Sequence, residues 1–238
     1  MKNSIPNKLK VHLKELVYGG VDGIVTTFAV VAGFNGAQVD ATVTTALSTA
    51  TVLLFGIANL FADGVSMSLG NFLSIRSEKD VYHQFESRER KELKENVAAE
   101  IEETKVILLE KGFSEKDTDT LTEIYRKYPD YWLSFMMTHE IGLPNPASEV
   151  PHVDALVTFF SFVFFGSIPL LPYMFFKQLP VTYLFWGAIG GSIVALTILG
   201  SIRHLLSGEK TSRAIFEVLG LGSIAGMVAY FVGVFFRG

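Results

Sequence analysis

The chain has 238 residues, of which 49% are hydrophobic and only 18% charged, with 20 Phe and a mean hydropathy of +0.36. A soluble domain carries about 25% charge, so this composition marks an integral membrane protein. The net charge of −4 argues against a nucleic-acid partner, and the absence of cysteine excludes disulfides, thiolate zinc sites and thiol redox chemistry.

In chain order, the N-terminus carries Lys2, Lys8, Lys10 and Lys14 and no cleavable signal pattern. A helix needs about 20 mostly apolar residues to cross a bilayer. The first such run is 16–37, and it contains Asp22 within YGGVDGIVTTF. A short turn, AQVDATV at 38–44, has no basic residue. The second run, 45–74, is longer than the hydrocarbon requires and leads into a polar stretch. Within it, Asn59 and Met67 stand one helical turn either side of Asp63 and form a polar and sulfur stripe. An ionisable residue in lipid costs several kcal/mol and is a functional candidate by default. For Asp22 and Asp63 the plain alternative is a helix-end acid capping backbone or meeting an interfacial lysine.

The polar insert, about 76–151, reads as three helices. Strong helix formers dominate 86–111, and Gly112 is a natural stop. SEKD at 114–117 has a capping pattern and opens a second helix to about Arg126, and a third runs from near Pro129 to Gly142. Three further apolar runs follow at 153–176, 180–202 and 214–236. Pro169 and Pro172 should kink or end the first of these. The last two are joined by the basic linker RHLLSGEKTSR. Lysine and arginine thus concentrate in the N-terminus, the insert and this linker, which predicts a cytoplasmic N-terminus and insert and a C-terminus on the opposite side. The expected architecture is an all-α integral membrane protein with five transmembrane helices and a helical cytoplasmic insert, divided as 1–75, 76–151 and 152–238. The short chain points to a prokaryotic plasma membrane.

The stretch ERKELKENVAAEIEE at 89–103 holds two E-x-x-E pairs, Glu89 with Glu92 and Glu100 with Glu103. On one continuous helix all four fall on one edge, within an arc of roughly 80°, with Glu95 and Glu102 off it. With Lys91, Lys94 and Lys105 nearby, this is either a solvated, salt-bridged face or a site of hard oxygen ligands for a divalent cation. Met136, Met137 and Glu140 share one face of the third insert helix. The methionines are either core filling or thioether ligands that bias a carboxylate site towards transition metals. Among the histidines, only His139 beside Glu140 is placed to join them.

These residues resemble the vacuolar iron transporter family along nearly the whole chain, through VYGGVDGIVTTFAVVAGFNGA, SMSLGNFLSIRSEK, FMMTHEIGLPNP and FGSIPLLPY. The resemblance implies five transmembrane helices per subunit and a homodimer with the ion path between subunits. It also implies a cytoplasmic metal-binding domain between the second and third spans. By position it assigns metal binding to Glu89, Glu92, Glu100, Glu103, Met136, Met137 and Glu140, and translocation to Asp22 and Met67. Where better-known members carry a glutamate in the second span this chain has Asn59, with Asp63 one turn on. The expected function is a transporter, not an enzyme, moving Fe2+, with Mn2+ or Zn2+ as further candidates, out of the cytoplasm in exchange for protons. The path would be Asp22, Asn59, Asp63 and Met67, and the partners a second copy, the bilayer, metal ions and protons. The alternatives are a membrane-anchored metal-binding scaffold and a di-iron enzyme. The latter ordinarily needs paired E-x-x-H motifs, which the carboxylate stretch lacks.

Overall fold

The computed structural model describes the backbone of residues 7–37 and 45–236, so the 38–44 turn lies outside the described residues. The elements are α1 (Asn7–Ala37), α2 (Thr45–Glu95), α3 (Val97–Glu110), α4 (Glu115–Lys127), α5 (Pro129–His139), α6 (Pro151–Gly166), α7 (Leu171–Phe175), α8 (Val181–Ser207) and α9 (Thr211–Phe235), with a 3₁₀ turn at Ile168–Leu170. No strand occurs among the described residues. Among the described residues, five helices are long and apolar enough to cross a membrane: α1, α2, α6 with its continuation to Phe175, α8 and α9.

Two compact units emerge, one of residues 1–73 with 150–238 and one of residues 74–149. In the first, α1 is the central helix and packs on α6, α8 and α9. Glycine permits this closeness. A Cβ at Gly19 would stand 2.7 Å from the Thr158 carbonyl oxygen of α6, and one at Gly23 would collide with the Phe162 carbonyl. Gly36 meets Tyr230 of α9 in the same way. The apolar core gathers Val31, Val52, Leu60, Phe162, Leu170 and Tyr173. Pro169 and Pro172 end α6 in the 3₁₀ turn and the short α7, as the sequence predicts. Gly208, at φ 69°, ends α8 in the left-handed region that glycine adopts freely.

α2 has 51 residues. At 1.5 Å per residue that is roughly 75 Å of helix, against about 30 Å of hydrocarbon. Its apolar part belongs to the first unit, and its polar continuation from Ser74 belongs to the second. Within the apolar part only 22% of the most apolar window is buried, against 44% for α1. Ala58, Ala62, Ser66 and Gly70 recur every fourth residue on its exposed side.

The second unit contains the end of α2 with α3, α4 and α5. Ser114 caps α4 by accepting from the Asp117 amide at 3.2 Å, and Gly112 adopts φ 91°, both as expected. The single helix expected over 86–111 is not formed. It breaks at Asn96, whose backbone turns to φ −123°, ψ 37°. The break has a packing reason. Tyr82 and Leu93 of α2 and Leu108 of α3 all join one core with Trp132, Met136 and Met137 of α5, and Val97 and Ile101 of α3 pack against it. A straight helix would carry these residues away from a common centre.

Candidate metal site and membrane acids

The break at Asn96 rearranges the carboxylates. Glu89 and Glu92 lie on α2, while Glu100 and Glu103 lie on α3, so the expected single acidic edge becomes two facing helices. Eleven residues of straight helix would separate Glu89 from Glu100 by about 16 Å. Instead one oxygen each of Glu89, Glu100 and Glu140 lies within 4.8 Å of the others. Oxygens bound to one small divalent ion at about 2.0–2.2 Å stand at most about 4.4 Å apart. Only one pair of three oxygens can span the ion in that way, and three spread evenly around it stand about 3–4 Å apart, so the triad must draw in by up to about 1 Å to hold an ion.

Glu89 is 2% and Glu100 3% exposed, and Glu89 Oε1 and Glu100 Oε2 are buried without a hydrogen-bond partner. Burial, then the charges of Glu100 and Glu140, pushes the Glu89 carboxyl up to about 8. Burial also raises Glu100, with the charges of Glu103 and Glu92 acting in the same direction. Partial burial, followed by the charges of Glu103, Glu100 and Glu92, lifts Glu140 to about 7. Three carboxyls that cannot all ionise cheaply form a site that a divalent cation would complete.

The remaining insert residues take different positions. Glu92 is half-buried with its Oε1 3.0 Å from Arg88 Nε, and Glu103 is exposed; both act on Glu140 by charge. Glu95 is exposed and pairs with Lys91 at 3.7 Å. Met136 and Met137 are fully buried in the insert core. Thr104, also fully buried, accepts from Trp132 Nε1 at 2.7 Å, donates to the Glu100 carbonyl oxygen at 2.7 Å, and sits 3.3 Å from Met136 Sδ. This chain of contacts fixes α3 against α5 beneath the carboxylates. His139 stacks edge-on against Phe135.

In the membrane unit, Asn59 Nδ2 donates to Asp63 Oδ2 at 2.7 Å, so two of the three stripe residues are joined directly. Asp22 of α1 lies within electrostatic reach of Asp63. Met67 packs against the apolar core. Asp22, Asn59, Asp63 and Met67 are all half-buried.

A second polar group escapes sequence reasoning. Glu15 Oε2 accepts from Asn71 Nδ2 at 2.8 Å and from Thr158 Oγ1 at 3.0 Å, and His12 Nδ1 stands 2.8 Å from the fully buried Asp154. Asp154 also accepts from the Val150 amide at 2.8 Å and so secures the start of α6. In sequence Glu15 simply follows Lys14 at the start of the first apolar run. Only the packing of α1, α2 and α6 reveals that its carboxylate points inward, where its bonds with Asn71 and Thr158 satisfy it.

Known proteins supply the context for this geometry. The sequence model of the VIT family matches residues 13–234. The vacuolar iron transporter of Toxoplasma gondii is 35% identical over 239 residues, covering 98% of this chain and 76% of the relative. Vacuolar iron transporter 1 of Arabidopsis thaliana is 32% identical, covering 92% of this chain and 83% of the relative. The vacuolar iron transporter of Plasmodium falciparum is also 32% identical, covering 94% and 82%. All three are named as transporters rather than enzymes, and their likeness runs through both the membrane helices and the carboxylate-bearing insert. The chain belongs to the VIT family.

Proposed function

We propose that the protein moves divalent metal, Fe2+ first and Mn2+ or Zn2+ as further candidates, out of the cytoplasm in exchange for protons. The observation that carries this reading is the convergence of Glu89, Glu100 and Glu140 from three helices on one point. Hard carboxylate oxygens suit Fe2+, Mn2+ and Zn2+, and protons that burial holds on these carboxyls are displaced when a cation enters. Glu92 and Glu103 widen the acidic approach to the site. Met136 and Met137 are close enough in sequence to Glu140 to supply sulfur if the α5 end repacks on binding.

Metal leaving the insert is taken up by the membrane stripe. Asp22 and Asp63 provide charge, Asn59 orients Asp63, and Met67 offers a soft ligand further along α2. An acid that releases a metal to the far side takes a proton in its place, which supplies the exchange. The reading includes a homodimer joined along α2. The stripe of Ala58, Ala62, Ser66 and Gly70 on the poorly buried face of α2 supports it, because small residues at this spacing allow close helix approach in lipid. The basic N-terminus and the basic α8–α9 linker favour a cytoplasmic insert. That orientation holds for a plasma membrane and for a vacuolar one alike, since the far side is non-cytoplasmic in both.

The test is transport by the full chain in proteoliposomes with Fe2+ outside and a pH-sensitive dye inside. Asp22→Ala and Asp63→Ala should each abolish metal uptake while metal binding to the solubilised protein persists. Unchanged uptake in both variants would refute the path.

A further inference from the structure

The α1–α9 side of the membrane unit carries a groove of about 900 Å³ that the transport reading does not use. One end is charged, lined by Lys14, Arg203, Ser207 and Glu217. The other is apolar, lined by Val21, Phe216, Leu221 and Ile224, with Tyr18 beside Lys14 one helical turn along α1. The groove therefore changes from polar to apolar along its length, as the bilayer does from headgroup to chain.

Two of the groove's own lining residues, Lys14 and Arg203, are cations, against the single acid Glu217. Arg203 reaches Glu217 Oε2 at 2.7 Å and Arg213 reaches Glu217 Oε1 at 3.0 Å, while Glu209, outside the groove lining, also acts on Arg213 by charge. Lys14 is 74% exposed, and its nearest acid, Glu15, is 3.9 Å away and already bonded to Asn71 and Thr158. The lining residues alone carry two cations against one carboxylate, a net charge of +1. That matches a single phosphodiester. A basic pocket between helix ends at the headgroup level is the recognised setting for an anionic lipid, and Tyr18 is the amphipathic ring type that favours this depth. At Gly220, on the groove wall, a Cβ would meet nothing within 4 Å, so the floor is open to an acyl chain.

We infer that this groove holds one anionic phospholipid per chain, its phosphate between Lys14 and Arg203 and its acyl chain along Val21, Phe216, Leu221 and Ile224. The lipid seats the start of α1 against the start of α9. The inference does not depend on the metal-transport reading, since it uses no residue of that path.

Native mass spectrometry of the detergent-solubilised full chain, offered phosphatidylglycerol, phosphatidylcholine or inorganic phosphate, tests it. Phosphatidylglycerol should be retained at one per chain, and neither phosphatidylcholine nor free phosphate should be. Lys14→Gln should weaken retention about fivefold, and Gly220→Leu, which fills the groove without altering charge, should abolish it. Equal retention of the two lipids, or retention unchanged in both variants, overturns the assignment. So does a Gly220→Leu chain that loses oligomeric mass while retaining lipid as before, which would mean that a second copy fills the groove.

Discussion

Glu89 and Glu100, eleven residues apart, face each other because the chain turns at Asn96 rather than continuing as one helix. Both carboxyls are almost wholly buried, and the exposed Glu140 completes the group.

The first prediction concerns which acids matter. Glu89→Gln and Glu100→Gln should each weaken Mn2+ or Fe2+ binding by about 10–100-fold, the range typical when a metal site loses coordination support. Glu95→Ala should leave it unchanged, because Glu95 is exposed and occupied with Lys91. Isothermal titration of the purified full chain measures both.

pH should act in opposite directions on metal affinity and on metal-free stability. Glu140 titrates near 7 and Glu89 near 8, so affinity should rise as pH increases from 6 to 8, with protons released on binding. The same groups bind protons more tightly in the fold than in the unfolded chain, where the value is 4.5. Their contribution to metal-free stability is therefore complete below about pH 4.5 and is lost as pH rises through 7–8. Calorimetry in two buffers of different ionisation enthalpy measures the proton release. A melting series of the metal-free protein measures the stability.

Thr104→Val should destabilise the insert by about 1–3 kcal/mol, because it strands the buried Trp132 N–H without an acceptor. The loss should appear in urea unfolding followed by Trp fluorescence. Thr104→Ser, which keeps the hydroxyl, should recover most of it.

Gly23→Ala should loosen the α1–α6 seam by about 1–3 kcal/mol, since the added methyl meets the Phe162 carbonyl. Gly190→Ala, where a Cβ meets nothing, should be close to neutral. Thermal unfolding in detergent compares the two.

The membrane helices were legible because long apolar runs have few other solutions, and the cap at Ser114 and the stop at Gly112 follow local rules that packing rarely overrides. The break at Asn96 was not legible. ERKELKENVAAEIEE is rich in helix formers, and Asn96 and Val97 only weaken the pattern; the shared burial of Leu93 and Leu108 against α5 is a relation between distant residues. The clustering of Glu140 with the ladder was legible only through family likeness. The inward turn of Glu15 to Asn71 and Thr158 left no local trace, since its partners come from two other helices. Asp154, placed at the start of an apolar run, was the one signal that could have drawn attention there.

The most direct test of metal–proton exchange is simultaneous recording of Fe2+ uptake and internal pH in proteoliposomes of the full chain, with Asp63→Asn beside the unaltered protein. The account predicts that Fe2+ entering the vesicles is matched by an internal rise in pH, and that Asp63→Asn removes both signals while binding at the Glu89–Glu100–Glu140 site survives. Fe2+ uptake with no accompanying pH change, or uptake undiminished in Asp63→Asn, would contradict it.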